Sequence, residues 1–216
     1  QRPWGGGQDG GHVHAARVPA TVPGCVHTDL LAAGLIGDPY LGTAEADQHW
    51  VGAQTWRYRR EFELASDSET FAAGSDLVCH GLDTVAEVAL NGRLLGRTAN
   101  MHRRHEFGVG EVLHPGTNVL EVTFAPALEY IARMEELVGA RHHVEADSYN
   151  LIRKMACNFG WDWGPRLITA GIWKPIELVA REHGRLAEVS VLATAEPAGE
   201  GGWQGRLRVA VRTLGG

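Results

Sequence analysis

The chain has 216 residues, of which 44% are hydrophobic and 21% charged, and its formal net charge is −6. This composition argues against a disordered chain and predicts one large globular domain, or one domain and part of a second. The 20 basic residues are scattered among 26 acidic ones, which argues against nucleic acid as a partner. No apolar run approaches 18 residues, so no contact with a membrane is expected.

The first predicted element is a helix over residues 26–35, with Gly34 or Gly37 as its left-handed stop. From Trp56 the pattern changes to strands, because apolar and charged residues alternate. Further strands are predicted at 77–79 and 85–90.

Asn91-Gly92 is the strongest hairpin signal in the sequence and leads into residues 93–95. A second turn at 114–118 leads into a strand at 119–124. Residues 56–124 therefore consist of short strands separated by turns, which is typical of a β-sandwich or jelly roll.

A helix interrupts the strands after Pro126 and ends at Gly139. Its predicted apolar face consists of Leu128, Ile131, Met134, Leu137 and Val138. Strand pattern returns at 172–180.

A seam is predicted near residues 181–184. Beyond it, strands at 186–194 and 205–213 are joined by a Pro/Gly-rich loop at 196–202. Two strands cannot form an independent core, so we expect the segment from about residue 185 to begin a second β-domain whose remainder is missing.

The most unusual segment is residues 158–166, where Trp161 and Trp163 flank Asp162 between glycines. Such a loop suits sugar binding, because pyranose C–H faces pack on indole rings and a carboxylate accepts hydrogen bonds from hydroxyls. The alternative is a structural loop whose tryptophans plug the end of the sandwich and whose aspartate caps a turn. The residues alone leave the two interpretations equal.

A second candidate segment, residues 100–104, contains Asn100 and two arginines near a strand end. These groups suit hydrogen bonding to a polyol, but a solvated loop with ion pairs is the more common outcome.

No catalytic group or metal site is predicted. The close histidine pairs lack the i,i+4 spacing of a zinc protease, and no cysteine pair lies nearby. Sugar hydrolysis usually needs two carboxylates, but the acidic pairs Glu45/Asp47 and Glu135/Glu136 lie in no recognisable catalytic setting. We also expect no cofactor.

The three cysteines, Cys25, Cys79 and Cys157, are odd in number and far apart. A secreted domain more often carries an even set, so we interpret them as buried thiols of a reducing compartment. The sequence therefore predicts a cytoplasmic protein, with a secreted or lysosomal location as the alternatives. Residues 1–11 are polar and show no signal peptide, although a leader could have been removed.

Ten sequence blocks form an ordered pattern along nearly the whole chain. They are Gly160-Trp161-Asp162-Trp163-Gly164-Pro165 and residues 22–31, 38–42, 56–58, 82–88, 90–92, 100–101, 103–104, 152–154 and 171–173. Together these blocks resemble the amino-terminal region of the β-mannosidases of glycoside hydrolase family 2. The block at 160–165 is the one that distinguishes β-mannosidases from β-galactosidases and β-glucuronidases.

The resemblance implies a galactose-binding-like jelly roll over residues 1–183 and the start of an immunoglobulin-like sandwich over residues 184–216. It also implies a TIM barrel, absent from this chain, that carries both catalytic glutamates of a retaining mechanism. The family's acid/base glutamate follows an asparagine, and this chain has no Asn-Glu dipeptide.

The resemblance transfers substrate contacts to four residues. Asp162 is expected to bind sugar hydroxyls, Trp161 and Trp163 to line the pocket, and Asn100 to add a weaker contact. Arg153 and Lys154 are interpreted as structural ion-pairing groups.

The expected partners are a β-mannoside, bound together with the missing barrel, and the following domains of the parent chain. The alternatives are a free-standing carbohydrate-binding module or lectin, and a scaffold whose Trp-rich loop is buried against the barrel.

Overall fold

The computed structural model describes residues 2–4, 17–65, 74–144, 146–180, 185–199 and 201–214. The chain divides into two units, Gln1–Val179 and Ala180–Gly216. The strands are β1 Arg2–Trp4, β2 Thr55–Leu64, β3 Ser75–Cys79, β4 Val85–Leu90, β5 Arg93–Ala99, β6 His105–Gly108, β7 Gly116–Phe124, β8 Ile176–Ala180, β9 Arg185–Ala198 and β10 Gly202–Leu214. The helices are α1 Val26–Ala32 and α2 Ala127–Val138, with 3-10 helices at Ala46–Ala53, Tyr149–Leu151 and Ala156–Phe159.

Two sheets form the first unit. One has five strands in the order β1-β2-β7-β4-β5, and the other has three in the order β6-β3-β8. Alternate side chains of β4 and β7 are buried, as the period of two in a strand requires when one face packs on a core. The core joins them to residues of β2 and β3, such as Trp56 and Leu77. The predicted all-β sandwich with short helical insertions is therefore confirmed.

The predicted hairpin at Asn91-Gly92 is confirmed. Asn91 has φ of 50° and Gly92 has φ of 78°, and Leu90 pairs with Arg93 across a two-residue loop. Positive φ at both central positions matches the right-handed twist of the two strands, which explains the Asn-Gly pair.

Buried amide groups join this hairpin to the turn before β7. Asn118 is fully buried; its amide donates to the carbonyl oxygens of His114 and Gly116, at 2.7 and 3.0 Å. The Asn118 oxygen accepts from the Asn91 side chain at 2.8 Å, and the Asn91 oxygen accepts from the backbone N–H of Val119. The network satisfies the polar groups of two turns inside the core.

The predicted first helix is confirmed as α1, with Gly34 at φ of 68° beyond its end. The second is confirmed as α2, which begins after Pro126 and ends before Gly139. Part of its predicted apolar face is wrong, because Leu137 is 75% and Val138 42% exposed. The residues that pack on α2, such as Ile152 and Phe159, cover its first turns and Ile131, and its last turn extends beyond them.

The strand predicted at residues 172–180 begins only at Ile176. The preceding segment makes other contacts: Gly171 exchanges backbone hydrogen bonds with Asp83, and the Trp173 indole donates to the carbonyl oxygen of Met101. These long-range partners replace a sheet neighbour there. The short strands β1 and β6 were missed.

The second unit is the antiparallel hairpin β9–β10. The two strands were predicted, but the loop between them is shorter than the predicted 196–202, because Pro197 still pairs with Trp203. The face that carries Trp203 and Leu207 is apolar and exposed, whereas Arg206 and Glu196 form an ion pair. The predicted seam at 181–184 lies outside the described residues, and the immunoglobulin-like identity of this unit stays a prediction.

No helix in the described part of the chain is both long and apolar enough to span a membrane.

Candidate carbohydrate-contact site

Residues 161–164, which we call the Trp-Asp-Trp turn, form a two-residue hairpin loop. The backbone N–H of Trp161 donates to the carbonyl oxygen of Gly164 at 3.1 Å, and the N–H of Gly164 donates back to Trp161 at 3.2 Å. Asp162 and Trp163 therefore occupy the tip. The two hydrogen bonds pair the backbone groups at the base of the turn.

The side chains of the Trp-Asp-Trp turn are exposed. Trp161 is 47% and Trp163 77% exposed, and Asp162 is also at the surface. The Asp162 carboxylate has no hydrogen-bond partner among the residues that the structure describes. Within that part of the chain, the tryptophans plug no core and the aspartate caps no turn. The side chains of the turn therefore lie exposed on the described part of the chain, and their role stays a prediction.

The base of the turn is attached to two distant segments through Arg166. The Arg166 guanidinium donates to both carboxylate oxygens of Asp147, at 2.7 and 3.0 Å. Its backbone N–H donates to the Glu45 carboxylate at 2.7 Å. On the other side of the loop, Phe159 is buried against Tyr149, with ring centroids 6.3 Å apart. Both ends of the loop are thus anchored.

Sequence reasoning missed Arg166 and Asp147, which lie 19 residues apart. Neither residue lies in a spacing that indicates an ion pair. The only local signal was the position of Arg166 immediately after the Gly-Pro dipeptide that ends the loop.

Asn100 is half-buried at the end of β5 and contacts a different part of the same chain segment. Its side-chain oxygen accepts from the backbone N–H of His102 at 3.0 Å, and its backbone forms a bridge with Arg153. The next residue, Met101, accepts from Met155 through its sulfur at 3.1 Å. Met155 precedes Trp161 by six residues, which span at most about 20 Å. The contacts thus place Asn100 beside the segment that leads into the Trp-Asp-Trp turn.

Lys154 is fully buried in an ion pair with Asp83, which confirms its predicted structural role. Its ammonium donates to both carboxylate oxygens of Asp83 at 2.6 Å and to the carbonyl and hydroxyl oxygens of Thr169 at 2.9 and 3.0 Å. The hydroxyls of Thr84 and Thr169 also donate to Asp83. Arg153 is exposed and is not part of this cluster.

The buried cluster changes the titration of its neighbours. Burial, and then the positive charge of Lys154, lower the pKa of His27 to about 4 against the opposing effect of Asp83. Burial also lowers the pKa of Lys154, and the Asp83 carboxylate opposes that shift. Burial and the carboxylate of Asp29 raise the pKa of Tyr58, whose hydroxyl donates to Asp29 at 3.2 Å. His27 is therefore neutral and the Tyr58 hydroxyl protonated near neutral pH, which suits a structural role for both.

The three cysteines are free thiols, and the prediction that all are buried is wrong for two. Cys79 is buried, and burial raises the pKa of its thiol to about 12. Cys25 is half-buried at the start of α1, and Cys157 is exposed. The predicted cytoplasmic location stays a prediction.

A cavity of about 860 Å³ opens between the two sheets. Its walls come from residues 18–22 and from β2, β3, β7 and β8, and include the apolar side chains of Phe62 and Leu120. None of the four predicted sugar-contact residues lines it. The Trp-Asp-Trp turn is therefore not part of this cavity. Within the described residues, no cluster of three or more His, Cys, Asp or Glu side chains could hold a metal ion.

Comparison with known proteins places this architecture among domains of glycosidases. Residues 6–174 match the family model described as the glycosyl hydrolase 2 galactose-binding domain-like family. The β-mannosidase of Bos taurus is 38% identical in an alignment 178 positions long that covers 76% of this chain and 20% of that protein. The β-mannosidase B of Emericella nidulans is 35% identical in an alignment 207 positions long that covers 84% of this chain and 23% of that protein.

A solved β-D-mannosidase from Dictyoglomus thermophilum superposes with a TM-score of 0.79 at 35% identity, covering 89% of this chain and 23% of that one. An exo-chitosanase from Amycolatopsis orientalis has the same fold, with a TM-score of 0.60 at 16% identity, over 91% of this chain and 24% of that one. The chain therefore spans about a fifth to a quarter of the length of the proteins that it matches.

Proposed function

Because this chain belongs to the glycosyl hydrolase 2 galactose-binding domain-like family, we propose that it is the non-catalytic amino-terminal part of a retaining β-mannosidase. In this role it supplies the Trp-Asp-Trp turn to a substrate pocket completed by a catalytic barrel outside the chain. The resemblance to β-mannosidases that the sequence blocks indicated is confirmed by the matches to curated and solved β-mannosidases.

The observation that carries the proposal is the combination of two exposed indoles and an exposed carboxylate on a turn with an anchored base. An indole ring offers a flat apolar face to the C–H groups of a pyranose, and a carboxylate accepts from neighbouring hydroxyls. We assign the hydroxyl contact to Asp162 and the ring contacts to Trp161 and Trp163. Asn100 is assigned a weaker contact, since its own oxygen already accepts from His102.

One turn on an open surface buries little of a ligand, so the chain alone provides one wall of a pocket. Affinity and chemistry then depend on the groups that face the turn in the full-length protein. We expect the isolated chain to leave an aryl β-mannoside intact, because the two catalytic glutamates lie elsewhere. Hydrolysis by the purified chain would overturn the assignment of catalysis to a separate barrel.

We propose further that residues 184–216 begin an immunoglobulin-like sandwich. The support is the amphipathic pattern of β9 and β10: Val191, Val209 and Leu207 share one exposed face, while Arg212 pairs with Glu188 on the other. A two-stranded ribbon of this kind needs a second sheet to cover its apolar face.

The decisive experiment is the Asp162→Ala substitution in the full-length enzyme. A charged hydrogen bond worth about 1.5–3 kcal/mol that strengthens in the transition state predicts a loss of kcat/KM of roughly tenfold to a hundredfold. Glu111→Ala is the matched control, because that carboxylate is 89% exposed on the sandwich and pairs with Arg93. Unchanged kinetics in the Asp162 variant would contradict the proposed contact.

Calorimetry on the isolated chain separates the proposal from its main alternative. One wall of a pocket predicts millimolar or undetectable binding of mannose. Micromolar binding would instead indicate a free-standing carbohydrate-binding module or lectin.

A further inference from the structure

We propose that Arg166 is a positioning residue, which holds the Trp-Asp-Trp turn in the orientation that meets the sugar. The inference rests on the function proposed above, since the orientation of Asp162 matters for activity only if the turn contacts substrate. Arg166 itself is assigned no contact with the sugar.

Arg166 joins three separate parts of the chain at the base of the loop. Its guanidinium binds both oxygens of Asp147, which lies between α2 and the 3-10 helix Tyr149–Leu151, and its backbone N–H binds Glu45, directly before the 3-10 helix Ala46–Ala53. The loop thus has one attachment through a side chain and one through the backbone of the same residue. Such an arrangement restricts both the position and the direction of the chain at Arg166.

The Arg166–Asp147 pair is more buried than the surface pair of Arg97 and Glu87. Its side chains are 24% and 16% exposed, whereas those of Arg97 and Glu87 are 70% and 52% exposed. A two-point contact between a planar guanidinium and a carboxylate fixes geometry, and partial burial reduces the screening by solvent. An exposed pair with a single contact neither fixes the geometry nor escapes screening by solvent.

Arg166 also lies near Gly160, at the opposite end of the loop that carries the turn. Gly160 has φ of 96°, and a Cβ atom built on it would lie 3.3 Å from Cβ of Arg166. Residues 160 and 166 therefore lie close together, so the two ends of the loop approach each other at its base as well as at its tip. Because the loop is closed at both levels, loss of the Arg166 contacts releases the segment that carries Asp162.

The first test measures the turn in the isolated chain by hydrogen exchange of the backbone amides of Trp161 and Gly164, the two donors that close it. Arg166→Ala is expected to speed their exchange by about tenfold or more, while the amide of Val122 in β7 exchanges as before. Asp147→Asn should reproduce this effect, because it removes the charge on which the guanidinium depends. Arg97→Ala, which breaks an exposed pair, is the matched control and should leave all three amides unchanged.

The second test uses the full-length enzyme and an aryl β-mannoside. Displacement of Asp162 by about 1 Å predicts a loss of kcat/KM of roughly tenfold to a hundredfold in Arg166→Ala, at a nearly unchanged melting temperature. Arg166→Lys keeps the positive charge without the planar fork, so it should restore part of the loss. The double variant Arg166→Ala/Asp147→Asn should lose no more kcat/KM than either single variant, because both substitutions remove the same Arg166–Asp147 contact.

The two proposals fail in different ways. Unchanged exchange at Trp161 and Gly164 in Arg166→Ala, or additive losses in the double variant, would overturn the positioning role even if Asp162→Ala is inactive. Faster exchange combined with wild-type kinetics in Asp162→Ala would instead overturn the sugar contact and with it the functional part of the inference. Losses that match across Arg166→Ala, Asp147→Asn and Asp162→Ala, with partial rescue by lysine, support both.

Discussion

Two regions that lie close together in the sequence differ in whether their charged groups are paired inside the fold. Lys154 is fully buried, and its ammonium is saturated by Asp83 and Thr169. Eight residues later, Asp162 lies exposed at the tip of a turn, without a partner among the residues that the structure describes. The first region uses its charges to join distant parts of the sandwich, and the second leaves its charge available to a molecule outside the chain.

A charged residue in a family-like block is therefore not by itself a sign of ligand binding. Asp83 and Lys154 belong to the family-like blocks just as Asp162 does, but their hydrogen-bonding capacity is used inside the fold. What separates the regions is whether each polar group already has a partner. Four substitutions test the contrast, from the largest expected effect on stability to the smallest.

Lys154→Met should lower the free energy of unfolding by about 3–5 kcal/mol, because it leaves the Asp83 carboxylate buried without its counter-charge. Urea denaturation followed by near-UV circular dichroism measures the change. Lys174→Met is the control, since Lys174 is exposed and stacks on Trp173. A loss below about 1 kcal/mol would show that the buried pair contributes little.

Acidification should destabilise the sandwich through His27. Its pKa is about 4 in the folded chain and 6.5 in the unfolded chain, so the unfolded state binds more protons between these values. Stability is therefore unaffected above pH 6.5 and falls as the pH drops toward 4, by about 3 kcal/mol. Denaturation midpoints of the wild type and His27→Gln across this range measure the effect. Equal pH dependence in the two proteins would rule out His27 as its source.

Asn118→Ala should cost about 2 kcal/mol, because the carbonyl oxygens of His114 and Gly116 lose the Asn118 donor and the Asn91 amide loses one of its two acceptors. The measurement is again chemical denaturation. Asn150→Ala is a suitable control, because that amide donates to the carbonyl of His142 on the surface. Similar losses of unfolding free energy at the two positions would mean that burial does not set how much these amide hydrogen bonds stabilise the fold.

Trp163→Ala should change stability by less than about 0.5 kcal/mol, since its indole is 77% exposed. Trp56→Ala is the contrasting variant: that indole is fully buried and donates to the carbonyl oxygen of Val51, so its loss should cost about 3–5 kcal/mol. Thermal melting of the two proteins measures the difference. A large loss of stability in Trp163→Ala would instead support the structural role for this residue that the sequence left open.

Much of the fold was predictable because its signals are local. The strand pattern of β2 and β4, the Asn91-Gly92 turn and the bounds of α2 all depend on residues within a few positions of each other. The predictions were wrong where contacts between residues far apart in the sequence determine the local structure. Residues 172–175 read as strand, but Gly171 pairs with Asp83. Leu137 reads as core, although its side chain is 75% exposed in the last turn of α2.

The candidate site divides in the same way. The composition of the Trp-Asp-Trp block and its resemblance to β-mannosidases indicated a candidate site from the sequence alone. Its exposure did not follow from the block, because the same residues suit a buried plug equally well. The anchoring of the turn was also beyond the sequence, since Arg166 meets Asp147 and Glu45 only after α2 and the 3-10 helices have packed on the sandwich.

The all-β class, the hairpin at Asn91-Gly92 and the family all follow from the amino-acid sequence, because turn residues, strand periodicity and ordered motifs act over short distances. The tertiary structure alone decided which charges are buried with Asp83 and which stand exposed beside Trp163. That decision depends on burial and on partners far apart in the chain, and these exist only when the sheets and helices have come together.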